Sequence, residues 1–147
     1  MVRINGHFGI GEAAYVPAFV SHENLSIAGW VSFLVDTGAS RTTILDGDAR
    51  ELNLTYESLQ SYQPGIIGVG GEVETYVIEH CTLTFSSDLG DYSEPMPVIY
   101  VLRHGRFDRR VERLPSLLGR DIINKYNLVY SRPSGSVFLT DQSVRLT

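Results

Sequence analysis

The chain has 147 residues, enough for one domain that buries a real core. Its 43% hydrophobic and 20% charged residues are those of an ordinary globular protein, and no run approaches the ~18 apolar residues that a membrane span requires. A net charge of −5 argues against a general nucleic-acid binder.

Cys81 is the only cysteine, so no intrachain disulfide forms. Its alternating surroundings, Glu79-His80-Cys81-Thr82-Leu83, read as a strand with an inert buried thiol. The N-terminus has no signal-peptide h-region, which makes a reducing cytoplasm the expected location. His7, His22, His80 and His104 are scattered without metal-ligand spacing, so neither a metal nor a cofactor is expected.

In chain order, Gly6-His7-Phe8-Gly9-Ile10-Gly11 is not a dinucleotide fingerprint, because no helix follows it, and residues 1–13 read as an arm. Residues 14–20 and 29–35 are rich in β-branched and aromatic residues and read as strands, joined by the polar cluster Ser21-His22-Glu23-Asn24. Pro17 sets the first of them at an edge or a bulge.

The chain is organised around Phe33-Leu34-Val35-Asp36-Thr37-Gly38-Ala39-Ser40-Arg41-Thr42. Here an apolar strand delivers a carboxylate into a glycine-containing turn. An acid held against an apolar floor ionises only at a cost unless donors or a partner share the charge. Thr37, the Gly38 backbone and Ser40 are candidate donors. Asp36 is therefore either the acid of a local Asx turn or a catalytic carboxylate.

Residues 42–45 resume an extended run. An N-cap at Asp46 then opens a short helix, with Leu45, Ala49 and Leu52 on one face. Residues 56–64 read as loop. Next, Gly68-Val69-Gly70-Gly71 precedes the alternation Val73, Thr75, Val77, which fits either an ordinary glycine hairpin or a mobile flap that closes over a ligand. A phosphate-cradling loop is excluded, since a strand pattern rather than a helix follows the glycines.

Residues 77–85 form a strand, residues 86–95 a polar hairpin loop, and residues 96–102 a returning strand. Five arginines lie among the eleven residues Arg103 to Arg113, interleaved with Asp108 and Glu112. They form either a solvated loop or a surface for an acidic partner. Residues 114–118 give an apolar strand, followed by Gly119 and a second helix with Ile122, Ile123 and Tyr126 on one face. Residues 127–131 and 136–140 flank the hairpin signal Arg132-Pro133-Ser134-Gly135.

Leu34-Val35-Asp36-Thr37-Gly38-Ala39-Ser40, then Gly68-Val69-Gly70-Gly71, then Leu117-Leu118-Gly119-Arg120-Asp121-Ile122-Ile123 occur in the order shown by the retropepsin-like aspartic proteases, which the chain resembles over about residues 14–140. The resemblance implies a mostly β fold: a closed antiparallel β-barrel with one or two short helices and a glycine-rich flap. It implies a single domain over residues 1–147, with the arm at 1–13 and the core at 14–140.

By the same resemblance the chain is an aspartic endopeptidase acting on a peptide or protein substrate. Only one Asp-Thr-Gly is present, so a homodimer with Asp36 from each subunit is implied. Thr37 matches the residue that bonds across the dimer axis, and Gly38 one whose backbone contacts substrate. Ala39, Gly68, Val69 and Gly70 match substrate-binding positions, with the Val69 N–H reaching the ligand. Gly119 matches a close-packing position, and Arg120 an arginine that buttresses the active-site loop through a partner not evident in the sequence. Asp121 directly after Arg120, and the tail through residue 140, look more like the cellular DNA-damage-inducible branch than like viral members.

Two other classes compete. A non-catalytic dimerisation or peptide-binding module on the same barrel has no need of an intact Asp36-Thr37-Gly38. An RNA-binding barrel using Arg103 to Arg113 is opposed by the net charge and by the lack of a stacking pattern in that stretch.

Overall fold

The computed structural model of the chain describes residues 2–62, 73–105 and 109–142. The glycine-rich stretch with Gly68, Val69 and Gly70 lies outside the described residues. Strands dominate: β1 (Arg3–Asn5), β2 (His7–Phe8), β3 (Ala14–His22), β4 (Ile27–Val35), β5 (Thr43–Ile44), β6 (Gln60–Ser61), β7 (Val73–Ser87), β8 (Gly90–His104), β9 (Leu117–Leu118), β10 (Asn127–Ser131) and β11 (Ser136–Thr140). Three short helices, α1 (Asp46–Glu51), α2 (Arg109–Glu112) and α3 (Arg120–Ile123), join them among the described residues.

Six of the strands close into a barrel in the order β7-β8-β5-β9-β4-β3, with β3 returning to β7. Most contacts are antiparallel, but β4–β9 and β5–β8 are parallel. The expected mostly β, closed-barrel class is the one found.

The barrel core follows from period-two alternation. Along β3, Ala14, Val16, Ala18 and Val20 are buried while the residues between them are not. Val16, Ala18 and Val20 share one cluster with Phe33, Ile44, Leu83, Phe85, Ile99, Val101 and Leu118, all fully buried. Ala49 of α1 and Leu52 just after it join the same cluster, on the face that includes Leu45. Pro17 pairs with Ser32 of β4, and the β3–β7 ladder begins only at Ala18, so its missing N–H opens no ladder bond.

Four elements differ from the sequence expectation. The arm is part of the sheet: β1 pairs with both β11 and β7, and Ile4 is fully buried. A three-residue strand with one buried residue is too short for periodicity to reveal. The polar loop expected at 86–95 is strand except for a tight turn at Asp88-Leu89, with Pro95 opposite Thr82. There β8 pairs with β7 alone, so Pro95 and Pro97 turn their donor-free side outward. The arginine-rich stretch contributes the end of β8 and the helix α2. Finally, Asp46 is the first residue of α1 rather than its cap; its carboxylate instead accepts the His104 N–H at 3.1 Å and pairs with His104 Nδ1 at 2.8 Å.

Cys81 is buried at the β3–β7 seam, its thiol donating to the Ser21 carbonyl at 3.3 Å. Burial pushes the thiol up to about 11. Native protein at pH 8 is therefore expected to resist a thiol reagent such as Ellman's, with full labelling only in denaturant; rapid native-state labelling would contradict the packing of this seam.

Candidate active site

The site is built where two strands run side by side. β4 and β9 are parallel, with Leu34 opposite Leu117 and Val35 opposite Leu118. The ladder extends by one bond on each side, from Leu34 N–H to Ser116 O at 2.8 Å and from Asp36 N–H to Leu118 O at 3.1 Å. The chain then turns sharply: Ala39 N–H donates to Asp36 O at 3.2 Å, and Gly38 N–H donates to Asp36 Oδ1 at 2.9 Å. A Cβ on Gly38 would stand 3.1 Å from that oxygen, so glycine lets the backbone approach the carboxylate.

Of the three donors expected around Asp36, the Gly38 N–H is the one that reaches it among the described residues. Oδ2 takes no hydrogen bond there, and the carboxylate is partly exposed. Thr37 and Gly38 are exposed at the surface of the turn, with Ala39 half-buried behind them. The turn thus has the Asx geometry of the simpler reading and leaves the second carboxylate oxygen without a hydrogen bond among the described residues.

Residues from the far end of the chain hold this turn. Arg120 Nη1 donates to Thr37 O at 2.8 Å, and Arg120 N–H donates to Ala39 O at 2.8 Å. Arg120 therefore buttresses the Asp36 turn through backbone carbonyls, and the partner that the sequence left unassigned is Thr37. Gly119 lies against residues 41 and 42, where a Cβ would come within 2.4 Å of the Arg41 carbonyl carbon and 2.8 Å of Thr42 N. Only glycine fits there without moving backbone.

Asp121 is a site residue to which the sequence assigned no role. Thr42 N–H reaches both of its carboxylate oxygens at 3.0 Å, and Thr42 Oγ1 donates to Oδ1 at 2.7 Å. Ile122 N–H adds a third donor at 3.0 Å, while Gly119 N–H donates to Thr42 Oγ1 at 3.2 Å. The Thr42 hydroxyl is fully buried and uses both its proton and a lone pair. Ser116 plays a similar part nearby, accepting from Leu45 N–H at 3.0 Å and donating to Asp48 Oδ2 at 2.6 Å.

The structure thus brings Asp36, Thr37, Gly38, Ala39, Gly119 and Arg120 together around one turn. Gly68, Val69 and Gly70 fall outside the described residues. A cavity of about 840 Å³ opens elsewhere, between α1, α2 and the end of β8. Its charged groups are already engaged: His104 with Asp46, Arg50 with Glu112, and Arg103 4.7 Å over the Tyr56 ring. Volume alone does not make that cavity the reaction site, because no open carboxylate oxygen on a glycine turn lines it. No cluster of metal ligands occurs among the described residues.

The aspartyl protease family model matches residues 28–122, from the start of β4 through the Asp36 turn to Ile122 in α3. The chain belongs to the aspartyl protease family. Its fold is similar to that of a retropepsin-like aspartic protease from Rickettsia conorii, at 21% identity and a TM-score of 0.58, covering 95% of this chain and 91% of that one. A retroviral protease-like domain of Ddi1 from Leishmania major is similar at 15% identity and a TM-score of 0.47, covering 88% of this chain and 98% of that one. No curated protein matches the sequence.

Replacing Thr42 by Val keeps the shape but removes the hydroxyl, leaving Asp121 Oδ1 and the Gly119 N–H each short of a partner. A loss of about 1–3 kcal/mol in urea-unfolding stability is expected. A change within experimental error would mean that the clamp contributes nothing.

Proposed function

We propose that the chain is an aspartic endopeptidase that works as a homodimer, with one Asp36 carboxylate from each copy forming a single dyad. The observation that carries this is the state of Asp36. Oδ1 is fixed by the Gly38 N–H, and Oδ2 is open at the end of the β4–β9 ladder inside a family-matched span.

Two such carboxylates facing each other cannot both ionise comfortably and share a proton. A water held between them loses its proton to the charged carboxylate as it attacks the peptide carbonyl, while the neutral carboxyl donates to the carbonyl oxygen. The tetrahedral species then collapses with proton transfer to the leaving nitrogen. The single Asp-Thr-Gly per chain is the reason for a dimer.

Thr37 braces the two turns across the axis in this scheme, and the backbones of Gly38 and Ala39 align the substrate strand. Gly68, Val69 and Gly70 form the flap tip whose Val69 N–H meets the peptide. What supports this reading is found in the described residues on either side: β6 and β7 pair antiparallel, and Tyr62 N–H donates to Thr75 O at 2.8 Å. Asp121 directly after Arg120 and the β10–β11 hairpin keep the chain, in our reading, nearer the DNA-damage-inducible branch. No helix among the described residues is long and apolar enough to cross a membrane; a cytoplasmic location remains part of this proposal.

Asp36→Asn is expected to abolish cleavage of a peptide library while the sedimentation profile stays that of wild type; retained cleavage would remove Asp36 from the chemistry. Specific activity should also fall on dilution towards the nanomolar range, because a lone half-site has no dyad. Constant specific activity over that range would point to a monomeric catalyst.

A further inference from the structure

Arg120 fastens the Asp36 turn only while α3 keeps its seat against the barrel. Residues 119–126 form one continuous run of helical turns. Ile122 and Ile123 N–H donate to Gly119 O at 3.1 and 3.0 Å, Asn124 N–H to Arg120 O at 2.9 Å, Lys125 N–H to Ile122 O at 3.0 Å and Tyr126 N–H to Ile123 O at 3.1 Å. The start of the run is tied to Thr42 through Asp121. Ile122 and Ile123 are buried and set its depth. Apolar contact has no direction, so the rotation of so short a helix is left to polar bonds at its two ends.

Glu94 supplies those bonds at the far end. It lies opposite Leu83 in the β7–β8 ladder, and Leu83 is fully buried, so the acid stands on the core-facing side of β8 together with Met96. Glu94 is only 8% exposed. One of its oxygens accepts from the Tyr126 hydroxyl, and the other from Lys125 Nζ at 3.0 Å. Burial, and then the bond to Glu94, hold the Tyr126 phenol above its ordinary range, which keeps it a donor. Stability alone does not call for an acid here, since apolar residues in place of a buried ion pair are often as stable or more so. What the carboxylate adds is direction, because losing either donor strands a buried charge.

We propose that Glu94 is a positioning residue for the Asp36 turn, acting through Lys125, Tyr126 and α3 on Arg120. Anchored at Thr42 and at Glu94, the helix is held against rotation, and Arg120 keeps its N–H on Ala39 O and its Nη1 on Thr37 O, both at 2.8 Å. Releasing the Glu94 end leaves Asp121 as a pivot and lets the Arg120 side chain swing away from the turn. The predicted effect on rate rests on the protease reading of Asp36; the predicted effect on the turn does not.

The test uses the full chain with Glu94→Gln, which keeps the shape and removes the charge, and Tyr126→Phe, which removes one donor. Both are measured at a temperature where circular dichroism matches wild type. Hydrogen exchange read by mass spectrometry should be about tenfold faster over residues 36–42 in each variant, with residues 14–22 as protected as in wild type. Unchanged exchange over 36–42 overturns the proposal. So does equal acceleration of both segments, which would make Glu94 a general stabiliser of the fold.

On peptides that wild type cleaves, kcat should fall by about tenfold or more with KM within about twofold. Adding Glu94→Gln to Arg120→Lys should cost little further in kcat; losses that multiply would mean that Glu94 does not act through Arg120 and would overturn the proposal. Faster exchange over 36–42 in a protein that cleaves no peptide would sink the protease reading and keep Glu94 as the anchor of the turn. Cleavage with unchanged exchange and kcat in Glu94→Gln would do the reverse, and neither effect would overturn both.

Discussion

The Asp121 carboxylate gathers Thr42 N–H, Thr42 Oγ1 and Ile122 N–H, and it ties together segments 79 residues apart in sequence. The parallel β4–β9 contact beneath it registers only two residue pairs, too short a ladder to fix a turn by itself. The clamp supplies what the ladder lacks. A partly buried carboxylate with three donors is stable only while all of them stay in place, and losing one strands a charge at a cost comparable to a lost hydrogen bond or more. Gly119 completes the arrangement, because any side chain there would drive residues 41 and 42 away from Asp121. Arg120 then carries the constraint the last step, from α3 to the Thr37 and Ala39 carbonyls that bracket Gly38. The position of Asp36 is therefore set mainly by groups some 80 residues downstream.

Where local pattern and burial agree, the sequence was sufficient. Residues 14–20 and 29–35 are rich in β-branched and aromatic residues and lie inside β3 and β4, and the hairpin at 127–131 and 136–140 has the same bounds in the fold. The Asp36 turn was legible because a strand ending in Asp-Thr-Gly is informative at short range. What stayed hidden was non-local. The stretch 86–95 is rich in Ser, Asp, Gly and Pro, a turn composition, yet pairing with β7 on a single side tolerates all of them. Ile4 is one apolar residue between Arg3 and Asn5 until β11 and β7 enclose it. Asp121 looks like any acid near a helix start, and nothing in its neighbours points to Thr42; only the barrel's closure brings the two together.

The same distinction explains why the charged end of the barrel is not where the chemistry is expected. Around α1 and α2 the acids and bases meet one another: His104 with Asp46, Arg50 with Glu112, Arg103 on Tyr56. Such pairs engage the charged groups at this end, from the half-buried His104–Asp46 to the exposed Arg50, and lie where Ala49 and Leu52 close the core. Asp36 is the contrasting case. Its Oδ1 is satisfied by backbone and its Oδ2 is not, an imbalance that a structural turn does not require.

In a symmetric dimer this imbalance has a consequence for mechanism. Each copy would present the same carboxylate with the same Gly38 N–H on Oδ1, so neither Asp36 is set in advance as acid or base. The backbone would fix where the two carboxylates sit but not which one holds the proton. A bound peptide has a direction and breaks the symmetry, so the substrate's own orientation assigns the roles. Donors that reach one carboxylate and not its mate would prejudge that choice and favour one substrate direction. Fastening the turn through backbone carbonyls, as Arg120 does, would leave the two acids of such a dimer equivalent until a peptide arrived.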